Sequence, residues 1–280
     1  MRIAALLTCH NRKEKTHDCL LSLDKIKTRH ELVIYLTDDG STDGTSEMIS
    51  SEFPHVHLIH GDGNLFWSRG MYAAWKEALK GNYDFYLWLN DDVILYPYFL
   101  DELMECEKLL GGHSIITGLI EDATHCKIIY GGSDSSKKRI QATGKPEPVR
   151  NMNGNVVLVP KCVVDKIGII DPRFHHDLGD VDYGLTASKN GIGVYTTRKA
   201  IASGYTNNYC RVRKWGTNVV NRFRKLYSPL GSNPSINFYF RKKHFGLINA
   251  STYWIYLHLL NIIPDGVVYT LWGDKYVDKP

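Results

Sequence analysis

No stretch of this sequence reaches the roughly 18 consecutive apolar residues that a membrane-spanning helix needs. The nearest candidate, residues 254–264, is short and is interrupted by His258 and Asn261. The apolar run after Met1 and Arg2 is likewise too short for a signal peptide and reads as a buried first strand. Six cysteines are scattered with no CxxC pair, which argues against a zinc knuckle and against a disulfide framework and suits a reducing cytoplasm. Lys and Arg exceed Asp and Glu by only four, too small an excess for a nucleic-acid binder but compatible with a phosphate-bearing ligand or an anionic surface. There is no internal repeat. What is present is 280 residues, 43% of them hydrophobic, enough to bury one large domain with or without an appended element.

The first hundred residues alternate strand-like apolar runs, at 2–8, 31–37, 55–59 and 83–89, with helix-like periodic runs. This is the pattern of a parallel sheet wrapped by helices. Leu20, Leu21, Leu23 and Ile26 can line one helix, and Met71, Ala74, Trp75, Ala78 and Leu79 fall at the spacing of another; both stripes read as core. From 114 to 159 the pattern becomes short strands with polar turns, including a mobile or hairpin insertion at 131–139. A strand over 155–160 follows, then a helix over 161–167 stopped by Gly168, then a helix from about Val181 that ends near Asn190 and Gly191. From Tyr205 onward the chain is rich in basic and aromatic residues. The expected division is a nucleotide-binding catalytic domain over 1–204 and a helical extension over 205–280.

In an open α/β sheet ligands bind beyond the carboxyl ends of the strands, where loops meet helix N-termini. Four polar clusters follow the four strands: Thr8 to Arg12, Asp38 to Thr45, Gly61 to Asn64 with Arg69, and Asn90-Asp91-Asp92. The second offers Asp38 and Asp39 as acceptors for a base or ribose, with Thr45 as helix N-cap, or is an ordinary Asp/Gly/Ser/Thr turn. The fourth ends a buried strand in two carboxylates, a costly arrangement without a cation, and acidic oxygens without cysteine suit Mg²⁺ or Mn²⁺. The alternative is that Asp92 caps the following segment. A third acidic site, His175 to Gly184, offers Asp180 or Asp182 as general base or as helix caps. His10, His175 and His176 are either metal ligands or surface polar residues.

In order and spacing these motifs resemble the family 2 glycosyltransferases, inverting enzymes of the GT-A fold, over about residues 3–195. Residues 39–45 (Asp-Gly-Ser-Thr-Asp-Gly-Thr) are similar to that family's nucleotide loop, Asn90-Asp91-Asp92 stands at its metal-binding DxD motif, and Gly179-Asp180-Val181-Asp182 resembles its ED motif. The resemblance implies that Thr8, Arg12 and Asp39 hold the base and that Arg69 lies in the loop reaching the nucleotide. It gives Asp91 the ribose or a metal-bound water, Asp92 the metal, Asp180 the role of base, and Asn153, Gly154 and Asn155 the acceptor side. The segment 64–71 is similar to a subgroup containing bacterial rhamnosyltransferases and other surface-polysaccharide enzymes.

Two positions depart from the pattern. Gly179 stands where the family usually has Glu, so that acceptor contact is absent or supplied by Asp177 or Asp182. Ala202 to Tyr205 offers no equivalent of the histidine that often serves as a further metal ligand.

The implied reaction is a single in-line displacement at the anomeric carbon of a nucleoside-diphosphate sugar, with a glycan or polyprenyl-diphosphate-linked acceptor and no covalent intermediate. The basic, aromatic C-terminal element, with Arg211, Arg213, Arg222, Arg224 and residues 241–243, either rests on an anionic membrane or packs its aromatics on the catalytic domain. Two rival readings are a nucleotidyltransferase and a non-catalytic carbohydrate binder. The first calls for a glycine-rich, lysine-containing loop after the first strand, which residues 8–12 are not. The second would not need Asp180.

Overall fold

The computed structural model describes residues 1–206 and 210–278, and the described chain divides into two compact units. The first comprises Met1–Pro172 and Gly179–Thr206; the second comprises Arg173–Leu178 and the described residues beyond Thr206.

The first unit runs β1 (Arg2–Cys9), α1 (Lys13–Asp24), β2 (Glu31–Asp38), α2 (Thr45–Glu52), β3 (His57–His60), α3 (Phe66–Ala78), β4 (Phe85–Leu89), β5 (Ile94–Leu95) and α4 (Phe99–Leu109). It continues with β6 (Ile115–Asp122), β7 (Ile128–Tyr130), β8 (Gly132–Ser133), β9 (Asn151–Met152), β10 (Val156–Pro160), α5 (Lys161–Ile167), α6 (Gly179–Lys189) and β11 (Val194–Gly204). The main sheet has the order β3-β2-β1-β4-β10-β6-β11-β5, with β7 on β6. β1, β2, β3 and β4 are parallel, as are β6 and β11, while β10 is inserted antiparallel between β4 and β6. The expected mostly parallel α/β sheet flanked by helices is what the chain forms.

β1 is apolar at nearly every position because both of its faces are covered. Ile3, Ala5 and Leu7 face a core with Leu20 and Leu23 of α1, Ile49 of α2, and Phe99 and Leu103 of α4. Ala4 and Leu6 face the opposite core with Met71, Ala74 and Trp75 of α3, Trp88, Val163 of α5 and Tyr183 of α6. The predicted stripes are therefore core, except at their margins: Leu21 and Leu79 are exposed. β3 begins two residues later than its apolar pattern indicates. Pro54 has no N–H to give a ladder, and the Val56 amide turns back to the Phe53 carbonyl (2.9 Å). The hairpin segment at 131–139 is closed by Asp134, whose backbone and carboxylate accept from Lys137, Ser136 and Lys138.

The second unit is helical: α7 (Val219–Tyr227), α8 (Pro234–Phe245), α9 (Leu247–Ile262) and α10 (Asp265–Trp272). Asn218 caps α7, and Asn233 with Pro234 opens α8. Its core gathers Val212, Leu226, Leu257, Leu260, Val268 and Val277. Arg213 and Arg222, expected on a solvent- or lipid-facing surface, are instead buried. Arg213 Nη1 donates to the Leu260 and Ile263 carbonyls (2.9 and 2.7 Å), and both guanidiniums pair with Asp265 (3.2 and 3.0 Å). They serve the orphan carbonyls at the end of α9, and Asp265 sets one negative charge between the two guanidiniums. Among the described residues no helix is long and apolar enough to cross a membrane.

Candidate active site

The carboxyl ends of β1, β2 and β4 carry the expected clusters onto one crest. Their loops are tied together by the backbone, with the Asp39 amide donating to Cys9 O (2.9 Å) and the Thr42 amide to Asn11 Oδ1 (2.8 Å). Thr8 is buried at the end of β1 and packs against α3 so closely that a Cβ on Gly70 would lie 2.1 Å from its hydroxyl oxygen. His10 turns its Nδ1 to the Asp39 carbonyl (2.6 Å).

Asp39 is buried and its carboxylate is fully engaged. Oδ1 accepts from the Gly63 amide (2.9 Å), Oδ2 from the Leu65 and Phe66 amides (3.0 and 2.8 Å). These bonds hold Phe66 at φ 57°, a left-handed conformation unfavourable for a side chain of this size, and so fix the entry to α3. Gly61 permits the approach, since a Cβ there would meet Asp39 Oδ1 at 2.6 Å. Asp43, not Thr45, serves the start of α2: Thr45 is its first residue and its amide donates to Asp43 Oδ1 (3.1 Å), with Gly44 at φ 84° between them. The carboxylate two residues upstream reaches that amide in an Asx turn, which the Thr45 hydroxyl cannot do for its own amide. On α3, Arg69 Nε donates to the Pro172 carbonyl (3.0 Å).

Asp91 and Asp92 lie just beyond β4. Arg12, expected at the base, sends Nη1 to both of them: 2.9 Å to Asp91 Oδ1 and 2.9 Å to Asp92 Oδ2. The Asp91 side chain is 4% exposed and that of Asp92 34%. Thr16 Oγ1 donates to the second Asp91 oxygen (3.2 Å). Burial pushes the Asp91 carboxyl up to about 6, with Arg12 pulling it down and the Asp92 carboxylate pushing it up. Two adjacent acids at a buried strand end thus require a cation, and the guanidinium meets that requirement here.

The pair also fits a divalent ion. Its oxygens are hard donors, and Mg²⁺ is commonly held by one or two carboxylates together with substrate phosphates. No group of three or more His, Cys, Asp or Glu suited to a metal exists among the described residues, so a cation here would draw its remaining ligands from water or donor.

The acceptor-side segment meets this crest because β10 runs antiparallel beside β4. The Asn90 amide donates to the Asn155 carbonyl (2.8 Å), and the Asn90 side-chain amide donates to Asn155 Oδ1. Trp67 Nε1 donates to Asn90 Oδ1 (2.7 Å). The Asn155 amide donates to Asn153 Oδ1 (3.2 Å), and Thr117 Oγ1 donates to the Asn153 carbonyl (3.0 Å). α6 begins at Gly179, so both Asp180 and Asp182 fall in its first turn. Asp180 Oδ2 accepts from the Gly154 amide (2.9 Å) and Oδ1 from the Val181 amide (2.8 Å), while Asp182 is buried.

Gly154 is wedged between the Trp67 ring and Asp180: a Cβ there would be 2.5 Å from Trp67 Cη2 and 3.1 Å from Asp180 Cβ. Gly179 is equally crowded, its would-be Cβ 2.4 Å from Ser68 Oγ, which accounts physically for glycine where the resembling family has Glu. Trp67, Asn90 and Thr16 are the site residues that sequence reasoning left without roles. The tryptophan inside the quoted 64–71 segment and the asparagine before the acidic pair were the available signals. In the second unit, His175, His176 and Asp177 line a small cleft with Asn233 and Asn237, and Asp177 pairs with Arg211.

Residues 5–109 match the family model for glycosyl transferase family 2. No curated protein sequence matches the chain. Among solved structures, that of S. aureus TarS is similar at 12% identity and a TM-score of 0.58, covering 97% of this chain and 46% of TarS, so the chain spans less than half of that protein. S. aureus TarS 1-349 in complex with UDP-GlcNAc is similar at 12% identity and a TM-score of 0.54, covering 97% of this chain and 76% of the other. The mannosyltransferase PcManGT from Pyrobaculum calidifontis, in complex with GDP-Man and Mn²⁺, is similar at 12% identity and a TM-score of 0.56, covering 98% and 83%. Likeness at such identity establishes the shared fold. Residues 5–109 thus match glycosyl transferase family 2, and the chain shares the GT-A architecture of these solved glycosyltransferases.

Proposed function

We propose that the protein transfers a sugar, with inversion, from a nucleoside-diphosphate donor, UDP- or dTDP-linked, to a hydroxyl of a glycan or a polyprenyl-diphosphate-linked acceptor. Synthesis of bacterial surface polysaccharide would be the setting, at the cytoplasmic face of the plasma membrane. The observation that carries the reading is the convergence, within one unit, of the acidic pair Asp91-Asp92 beyond β4 and of Asp180 on the Gly154 amide. The two are linked through Asn155 and Asn90. The neighbours crystallised with UDP-GlcNAc and with GDP-Man support a nucleotide-sugar donor on this fold.

On this reading the nucleotide lies over the crest of Thr8, Arg12 and the Asp39 loop, with Arg69 on α3 flanking it. A Mn²⁺ or Mg²⁺ ion held by Asp92 with Asp91 would neutralise charge on the leaving diphosphate. Asp180 takes the proton from the acceptor hydroxyl as the oxygen attacks the anomeric carbon. The Gly154 amide holds one oxygen of that carboxylate and the Val181 amide the other, so the base is oriented before substrate arrives. Asp182, buried two residues further along the same turn, is the alternative base. Asn153, Gly154 and Asn155 flank the acceptor. One displacement needs no carboxylate nucleophile, and the product anomer is inverted.

The test is Asp180→Asn. Turnover should fall by about 10²–10⁴-fold while nucleotide affinity is retained. Retained turnover would remove Asp180 as base and favour the alternative Asp182, whereas absence of turnover in the unsubstituted protein beside intact nucleotide binding would favour a binding protein.

A further inference from the structure

α9 is apolar on two opposite faces. One face, with Ala250, Leu257 and Leu260, is buried in the core of the second unit. The other carries Ile248, Ile255, Leu259 and Ile262, which are 81%, 51%, 55% and 59% exposed. Successive spacings of 7, 4 and 3 residues put these four within one strip of the helix surface. Across 16 residues the strip is about 24 Å long. α10 exposes Val267 and Leu271 one turn apart, and Phe245 and Leu247 are exposed at the Gly246 corner between α8 and α9. Soluble proteins seldom leave such a run uncovered.

Charge identifies what covers it. Residues 207–280 hold eleven Lys and Arg against three Asp and no Glu, whereas the rest of the chain holds 23 against 27. One of the three, Asp265, is already committed to the buried Arg213 and Arg222. Arg241, Lys242 and Lys243 immediately precede the exposed Phe245 corner. Lys242 is exposed, and Arg241 lies over the Tyr253 ring at 3.5 Å with Nη1 on Asn249 (2.8 Å), which ties the end of α8 to α9. Two copies meeting through this face would bring like charge together. An anionic lipid surface offers apolar depth and opposite charge at once.

We infer that the exposed face of α9, with the basic Arg241–Lys243 corner, docks in the plane of an anionic bilayer, its isoleucines and leucine below the headgroups and Lys242 among them. This surface differs from the one expected from the basic and aromatic content alone, since Arg213 and Arg222 of that set are buried. The inference concerns binding only and stands apart from the sugar-transfer reading.

The test is flotation of the full-length protein with phosphatidylcholine vesicles with and without phosphatidylglycerol, alongside sedimentation velocity without lipid. The unsubstituted protein should float with the anionic vesicles. The Ile255→Glu/Leu259→Glu variant should lose about ten-fold or more in partition coefficient. Lys242→Glu should lose less, by an amount that shrinks as salt is raised. The substituted side chains are exposed, so circular dichroism should show an unchanged fold; if the charged variant fails to fold, Ile255→Ser/Leu259→Ser makes the same comparison. The inference is overturned if the unsubstituted protein does not bind anionic vesicles or if the double variants bind equally well. A lipid-free dimer that the double variant dissociates would overturn it too, by assigning the face to a second copy.

Discussion

Replacing Gly154 by alanine adds one methyl group at the point where three site elements meet. The added carbon would lie 2.5 and 2.7 Å from Trp67 ring atoms and 3.1 Å from Asp180 Cβ. Carbon contacts are comfortable only at about 3.5–4.0 Å, so something must move by about 1 Å. The indole cannot swing away freely, because Nε1 is bonded to Asn90 and the ring packs edge-on against Trp88, centroids 6.0 Å apart. The displacement falls instead on the 153–155 segment and on the carboxylate held by its amide. Overpacking of this kind costs about 2 kcal/mol, a fall in Tm of about 4–8 °C for a unit of this size. Shifting a base by such a distance should lower kcat by about ten- to hundred-fold with little change in donor affinity. Differential scanning fluorimetry and a nucleoside-diphosphate release assay measure the two effects. Gly154→Ala with unaltered Tm and unaltered turnover would refute the coupling of this glycine to the base.

Three further outcomes are expected. Arg12→Ala removes the guanidinium from between Asp91 and Asp92 and should cost about 2 kcal/mol; Mn²⁺ should recover part of the lost Tm, and no recovery would count against the pair as a cation site. Glu102 is buried, which by itself raises its pKa, but hydrogen bonds from Arg198, including Nη2 at 2.7 Å, outweigh this and hold it below its ordinary 4.5. Its stabilisation is therefore fully present above about 4.5 and disappears as pH falls through the lower folded value, so the Tm gap between the unsubstituted protein and Glu102→Gln should close in acid; a gap constant with pH would contradict this. Asp265→Asn leaves Arg213 and Arg222 buried without a counter-charge and should destabilise the second unit by about 3–5 kcal/mol, visible as early loss of protection in amide exchange of α9.

The alternation of strands and helices was legible because it is local: apolar runs of period 2 or 3.6, broken by Gly and polar clusters. That four polar clusters share one crest was legible too, as a consequence of parallel strands ending on the same side. What escaped sequence reasoning depends on contacts far apart in the chain. Arg12 meets Asp91 across 79 residues, and Asn90 meets Asn155 across 65, the latter only because β10 is inserted antiparallel beside β4. No spacing rule announces either. The left-handed Phe66 and Leu178 are equally silent in sequence, since neither is a glycine. The stripe on α9 is visible as a periodicity, but which of its two apolar faces is buried follows from the packing of Leu257 and Leu260 alone.

The most direct measurement is calorimetric titration of the protein with UDP-, dTDP- and GDP-sugars, each with Mn²⁺ or Mg²⁺, read beside nucleoside-diphosphate release and repeated with Asp92→Ala. The account expects metal-dependent binding and turnover with a UDP- or dTDP-linked donor, both lost in the variant. Absence of binding to every nucleotide sugar in the panel would contradict it.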